Sequence, residues 1–259
     1  MGRAGVGGGR RGAPVSAVRH VLVVVPARDE EQVLGPCLRS LEVAAARLRR
    51  ARPDVAVDVV VVLDGCVDGS AAVTARYPVT AFPVLAGTVG AARRLGVRGG
   101  LALRPADIPN EAVWIASTDA DCEVPPHWLT EQVALAEGGA DLVVGTVVPA
   151  GDLDPVRLAE WHSRHDLRDG HPYVHGANLG VRLTAYAAAG GFRRLVRHED
   201  VGLVRRVRAL GHPWVATDRT RVRTSPRLQG RVEGGFAGYL AALPGTDPAP
   251  ARRARTRRR

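Results

Sequence analysis

Four runs of almost unbroken aliphatic residues set the limits on this chain: VLVVV (21–25), VAVDVVVVLD (55–64), AVWIAST (112–118) and ADLVVGTVV (140–148). A strand with one wet face alternates apolar and polar residues, whereas one covered on both faces does not. These runs therefore demand helices on each side of the sheet they form, and helical periods lie between them. Val33, Leu34, Cys37, Leu38, Leu41, Ala45 and Leu48 share one face after the first strand. Ser70–Arg76 reads as a short helix, 79–85 as another strand and 89–103 as an arginine-bearing helix. PPHWLTEQVALAEGG (125–139) opens with proline and closes with glycine, as helices do. Strand and helix alternating to about residue 150 predict an α/β fold, a mostly parallel sheet flanked by helices, in a single domain. Beyond it the pattern loosens. A helix is expected near 154–168, a turn at HGANLGVR (175–182), a helix at HEDVGLVRRVRALG (198–211) and a strand near 214–223.

The chain has 259 residues and a net charge of +10, which suggests a nucleic-acid partner until the charges are located. Four arginines precede residue 20 and six follow residue 249, with no acid in either stretch, so 20–249 is net neutral. The basic character belongs to Gly/Pro/Ala/Arg-rich ends, residues 1–19 and 243–259, which read as disordered tails. The tails offer weak peripheral attraction to a membrane at most, and no specific nucleic-acid partner is expected. Cys37, Cys66 and Cys122 are scattered, which predicts a reduced interior and a cytoplasmic location. The first apolar run ends at Pro26, too short for a signal sequence, and no run nears the ~18 residues of a membrane span.

In an open parallel sheet, ligands bind beyond the carboxyl ends of the strands. PARDEE (26–31), DGCVDGS (64–70) and TDADCE (118–123) all follow strands and would share that edge. An acidic edge repels phosphate unless a divalent cation intervenes. Asp119 and Asp121 supply hard oxygen ligands suited to Mg²⁺ or Mn²⁺. Arg28, Arg93 and Arg94 are the candidate phosphate partners. Asp29 stands three residues before Gln32, a pair expected to cap the first helix. His162, His165, His171 and His175 suggest zinc, but only the first two share helical spacing and no cysteine is near. Trp128 and Trp161 are expected to pack in the interior.

In this order, VVVPARDEEQVLGPCLRSL, VVVVLDGCVDGS, STDADC, HGANLG and HEDVGLVRRVRALG resemble the family 2 glycosyltransferases of GT-A fold, over about residues 20–240. The resemblance implies a nucleotide-diphosphate-sugar donor, a divalent metal and inversion at the anomeric carbon. Residues 20–150 then form the nucleotide-sugar-binding half and 151–242 the acceptor-binding half of one domain. Pro26, Arg28 and Glu30 match the loop near the base and ribose. Asp64 matches the second carboxylate of the Asp-Asp-Gly-Ser motif, and Leu63 stands where the first is usual. Asp119 and Asp121 match the Asp-x-Asp motif, Asp121 as metal ligand. Glu199-Asp200 match the pair whose aspartate is the general base, and His198 precedes them. His175, Gly176 and Asn178 would face the sugar or acceptor. The processive members' Gln-x-x-Arg-Trp motif is replaced by RVRTSPR (221–227), which argues for a non-processive enzyme. Two alternatives remain from the residues alone. One is a nucleotidyltransferase on a similar sheet, against which the acidic, glycine-free PARDEE loop argues. The other is a non-catalytic binding protein using its arginine tails.

Overall fold

The computed structural model describes residues 16–151, 153–230 and 235–246, so the tails, apart from residues 16–19 and 243–246, lie outside the described residues. The chain forms two compact units: residues up to 149 together with 167–225, and residues 150–166 together with 226 onward. Residues from both halves expected from the sequence thus lie in the first unit.

That unit is built on one eight-stranded sheet. In chain order the strands are β1 (His20–Ala27), β2 (Ala56–Asp64), β3 (Thr80–Val84), β4 (Val113–Ser117), β5 (Cys122–Glu123), β6 (Leu142–Pro149), β7 (Leu179–Arg182) and β8 (Trp214–Thr224). Their order across the sheet is β3-β2-β1-β4-β7-β6-β8-β5. β1 runs parallel to β2 and β4, β2 to β3, and β6 to β8, whereas β7 is antiparallel to both its neighbours. The continuous aliphatic runs are buried on both faces. Val21, Val23 and Val25 pack into one core with the helices α1 (Glu31–Ala51) and α4 (Trp128–Glu137). Leu22 and Val24 enter the other core with α3 (Val89–Gly100), α6 (Leu183–Ala188) and α7 (Glu199–Ala209). The short helix α2 (Ser70–Thr74) follows β2.

Glycines set the height of α3 above the sheet. A Cβ at Gly96 would collide with Val24 and Val62, and one at Gly100 with Leu22 and Val60. Because Arg93, Gly96 and Gly100 share one helical face, the same close approach carries Arg93 beneath the strand ends. β7 and α6 went unread in the sequence. LGVR is too short to show a period, and its Gly180 serves close packing, since a Cβ there would strike Gln132 and Trp114.

The expected capping box is a correction. Glu30, not Asp29, occupies the N-cap of α1 and makes no side-chain cap bond. Asp29 has φ 51°, and its Oδ1 instead accepts from Val67 N at 2.8 Å. The N–H groups at the start of α1 are satisfied from the loop after β2. Glu30 N donates to Ser70 Oγ at 2.9 Å and Glu31 N to Asp68 Oδ2 at 2.9 Å, while Gly69 N donates back to Glu31 Oε2 at 3.0 Å.

The second unit holds α5 (Pro155–Arg164) and α8 (Phe236–Ala242). Asp154 caps α5 by accepting from Arg157 N at 2.9 Å. The buried Arg157 donates to the carbonyls of Leu240, Ala241 and Leu243 at the end of α8, where a cation meets the negative pole of the helix. Trp161 is buried beneath a stacked His165 ring at 4.3 Å. No described helix is long and apolar enough to cross a membrane.

Asn178 is a core fastener. Its Oδ1 accepts from Trp128 Nε1 at 2.9 Å, and its Nδ2 donates to the carbonyls of Thr146 and Thr220 at 2.8 and 2.7 Å. Removing it strands one buried donor and two acceptors. Asn178→Ala is expected to lower the unfolding free energy by about 3 kcal/mol in urea titrations. A loss under about 1 kcal/mol would show that the amide does not hold these strands.

Candidate active site

The parallel register puts the ends of β1, β2 and β4 on one edge: Ala27 pairs with Leu63 and Val24 with Ser117. The three polar segments read from the sequence therefore emerge side by side. Asp64, buried at the end of β2, accepts from Ala86 N and Gly87 N on one oxygen, at 2.6 and 3.1 Å. Leu63 is core. Glu30 is buried, Pro26 half-buried and Arg28 exposed on the first loop.

One guanidinium organises the edge. Arg93 is 2% exposed and donates through Nε to Ser117 Oγ at 3.1 Å. Its Nη1 pairs with Glu199 Oε1 and its Nη2 with Asp119 Oδ1. The first aspartate of TDAD and the first acid of HED, 80 residues apart, are thereby joined by a single side chain. All three arms of Arg93 are used within the protein, so it holds the site rather than offering an open phosphate ligand. Arg94 is turned away and donates to the carbonyls of Gly190 and Phe192 at 2.9 and 3.2 Å.

Gly176 closes over this clamp. A Cβ there would lie 2.6 Å from Arg93 Nη2, and the guanidinium cannot yield because three partners fix it. Gly176 N donates to Asp200 Oδ2 at 2.6 Å, and Val201 N donates to Asp200 Oδ1 at 2.7 Å. His198, exposed and in a left-handed conformation at φ 60°, turns the chain into α7. This sparsely populated geometry is one that sites tend to hold under strain. His175 is half-buried beside Gly176, whereas the Asn178 amide is committed to the core and does not join the cluster.

Asp119, Asp121 and Cys122 bring ligand atoms within 4.8 Å of one another. Burial, reinforced by Asp121 and Asp119, pushes the thiols of Cys37 and Cys122 far up, so they stay protonated and are poor ligands. The usable donors are carboxylate oxygens, which fits Mn²⁺ or Mg²⁺ better than zinc. The other such group, Asp29, Cys66 and Asp68, differs. Asp29 accepts a backbone N–H from Val67 and Asp68 accepts from Glu31 and Ser70, so these carboxylates tie loops together. Among the described residues no such group contains a histidine.

Sequence reasoning missed the Arg93 clamp and Ser117 as its partner. The available signal was the glycine spacing of GAARRLGVRGG (90–100), which marks the face of α3 that lies against the sheet.

Residues 22–196 match the family described as glycosyl transferase family 2, and the chain belongs to it. Its fold is of the GT-A type. Glu199 and Asp200 lie just beyond the matched stretch. No curated protein matches the sequence. Among solved structures, S. aureus TarS 1–349 is 13% identical with a TM-score of 0.56, covering 80% of this chain and 60% of that one. The mannosyltransferase PcManGT from Pyrobaculum calidifontis, in complex with GDP-Man and Mn²⁺, is 18% identical with a TM-score of 0.57, covering 84% of this chain and 59% of that one. Glucosyl-3-phosphoglycerate synthase of M. tuberculosis is 17% identical with a TM-score of 0.54, covering 88% of this chain and 82% of that one. The chain thus spans less than two thirds of the TarS and PcManGT chains.

Glu199 carries a pH signature. Burial pushes its carboxyl from 4.5 up to about 7, with Arg93 opposing the shift and Asp200 and Asp119 adding to it. A raised folded pKa means that the stability it contributes is complete below the unfolded value and is lost as pH rises to about 7. Relative to Glu199→Gln, which cannot titrate, the wild type is expected to lose about 3 kcal/mol between pH 4.5 and 8 in paired urea denaturations. A difference that stays constant over this range, or one of opposite sign, would contradict the assignment.

Proposed function

We propose that this protein transfers a sugar from a nucleoside-diphosphate donor to an acceptor hydroxyl, with inversion, in a metal-dependent and non-processive reaction. The observation that carries the reading is the Arg93 clamp. It ties Asp119, beside Asp121, to Glu199, beside Asp200, so that the proposed metal-diphosphate seat and the proposed base belong to one rigid unit. The solved structures with GDP-Man and Mn²⁺, and with Mn²⁺, uridine-diphosphate and phosphoglyceric acid, support such a donor and cation.

Asp121 and Asp119 are the proposed metal ligands. A bound Mn²⁺ or Mg²⁺ would neutralise the negative charge of the departing diphosphate. Pro26, Arg28, Glu30 and Asp64 are assigned to the base and ribose side. Arg93 serves there as a positioning residue, since it reaches the donor through Asp119. His175, Gly176 and His198 are assigned to the acceptor side, with Asn178 supporting that turn from the core.

Asp200 is the proposed base. Its two backbone N–H partners orient the carboxylate and leave each oxygen a further lone pair for a proton. As the acceptor hydroxyl gives its proton to Asp200, its oxygen bonds to the anomeric carbon. The bond from that carbon to the phosphate oxygen breaks and the diphosphate leaves with the electron pair. Attack opposite the leaving group inverts the centre. Three free cysteines fit a reducing, cytoplasmic setting.

A thermal-shift screen of nucleotide sugars with Mn²⁺ identifies the donor, and two variants then test the roles. Asp121→Ala is expected to lose metal-dependent donor binding. Asp200→Asn should keep donor binding and lose about 10²- to 10⁴-fold in turnover. Donor binding indifferent to metal, or undiminished turnover in Asp200→Asn, would remove the corresponding assignment.

A further inference from the structure

Two of the three cysteines bring their sulfurs to the Asp119–Cys122 turn, although neither thiol suits a hard cation. The turn is fastened from several sides. Asp119 O accepts from Cys122 N at 3.1 Å and from Cys37 Sγ at 3.4 Å. Cys37 stands on α1 among its buried residues, so the helix layer reaches the turn through a thiol. Asp121 O accepts from Ser225 N at 2.9 Å, just past the end of β8, and Arg93 holds Asp119 Oδ1. These bonds fix the backbone and the first carboxylate. None of them reaches the carboxylate of Asp121.

That carboxylate accepts from Cys122, with Sγ 3.6 Å from Oδ1. The short strand β5 pairs with β8 so that Cys122 lies opposite Thr224, whose hydroxyl hydrogen-bonds the same sulfur. A thiol has one proton to give, and with Thr224 donating to the sulfur that proton is directed to Asp121. Cys122 is wholly buried, so solvent does not compete for it. Buried cysteine commonly serves as a small apolar filler. Here the sulfur instead links β8 to a proposed metal ligand. Outer partners of this kind orient a carboxylate before the ion arrives, and their loss weakens metal binding about 10- to 100-fold.

We propose that Cys122 is a positioning residue for the metal seat. Its S–H holds the Asp121 carboxylate in the orientation that takes Mn²⁺ or Mg²⁺, and Thr224 fixes the thiol in turn. The proposal rests on Asp121 as a metal ligand.

The test compares Cys122→Ser and Cys122→Val in the full chain. Serine keeps a donor and loses volume, whereas valine fills the space and has no donor, so positioning and packing predict opposite orders. The Mn²⁺ concentration giving half of the metal-induced shift in thermal midpoint is measured with UDP or GDP held constant. The midpoint without Mn²⁺ reports the fold of each variant separately. Half-saturation in Cys122→Ser close to wild type, with Cys122→Val about tenfold weaker, supports the proposal. A valine variant that binds Mn²⁺ within about threefold of the serine variant, or better than it, overturns the proposal. Wild type that shows no Mn²⁺-dependent shift with either diphosphate removes the metal seat itself and this proposal with it, a failure read before any variant is compared.

Discussion

A guanidinium removed from water is unfavourable unless its charge and all its donors are met. Arg93 meets that condition with two carboxylates and a hydroxyl from three separate parts of the chain. Burial alone would lower its pKa, but Asp119, Glu199 and Asp200 outweigh that and raise it. Removing either carboxylate strands the cation, and removing the cation strands two anions at the edge of the sheet. The rest of the site is built to suit this ion. Gly96 and Gly100 lower α3 onto the sheet, Gly176 leaves room for the guanidinium face, and His198 accepts a left-handed backbone at the entry to Glu199.

This arrangement separates support from chemistry. In each acidic motif one carboxylate is held by Arg93, Asp119 in TDAD and Glu199 in HED. The neighbours Asp121 and Asp200 are the members assigned to metal and proton. The charge pattern has the same division. The strand ends are acidic, whereas the 193–206 segment is basic.

Much of the fold was legible because buried strands leave a coarse signal. VLVVV and VAVDVVVVL are short, rich in β-branched valine and end at proline or a glycine turn, which reads as two-faced strands, and their parallel alignment put PARDEE, DGCVDGS and TDADCE on one edge. Short elements were illegible for the opposite reason. LGVR has no period to read, and its neighbours in the sheet lie 35 or more residues away. Asp29 misled because its spacing to Gln32 fits a capping box, while its partner is set by tertiary contact with Val67. Asn178 misled likewise: an amide in a turn looks available, and only the packing shows that Trp128, Thr146 and Thr220 use it fully. Arg93 and Arg94 are adjacent and equivalent in sequence. A 100° step around the helix makes one the centre of the site and the other a surface tie.

The central claim is that Arg93 and Glu199 act as one interaction. A double-mutant cycle of Arg93→Met, Glu199→Gln and the pair, read by urea denaturation at pH 8, measures it directly. The account predicts a coupling free energy of about 2 kcal/mol or more, with the double variant less destabilised than the singles added together. Additivity within about 0.5 kcal/mol would contradict it.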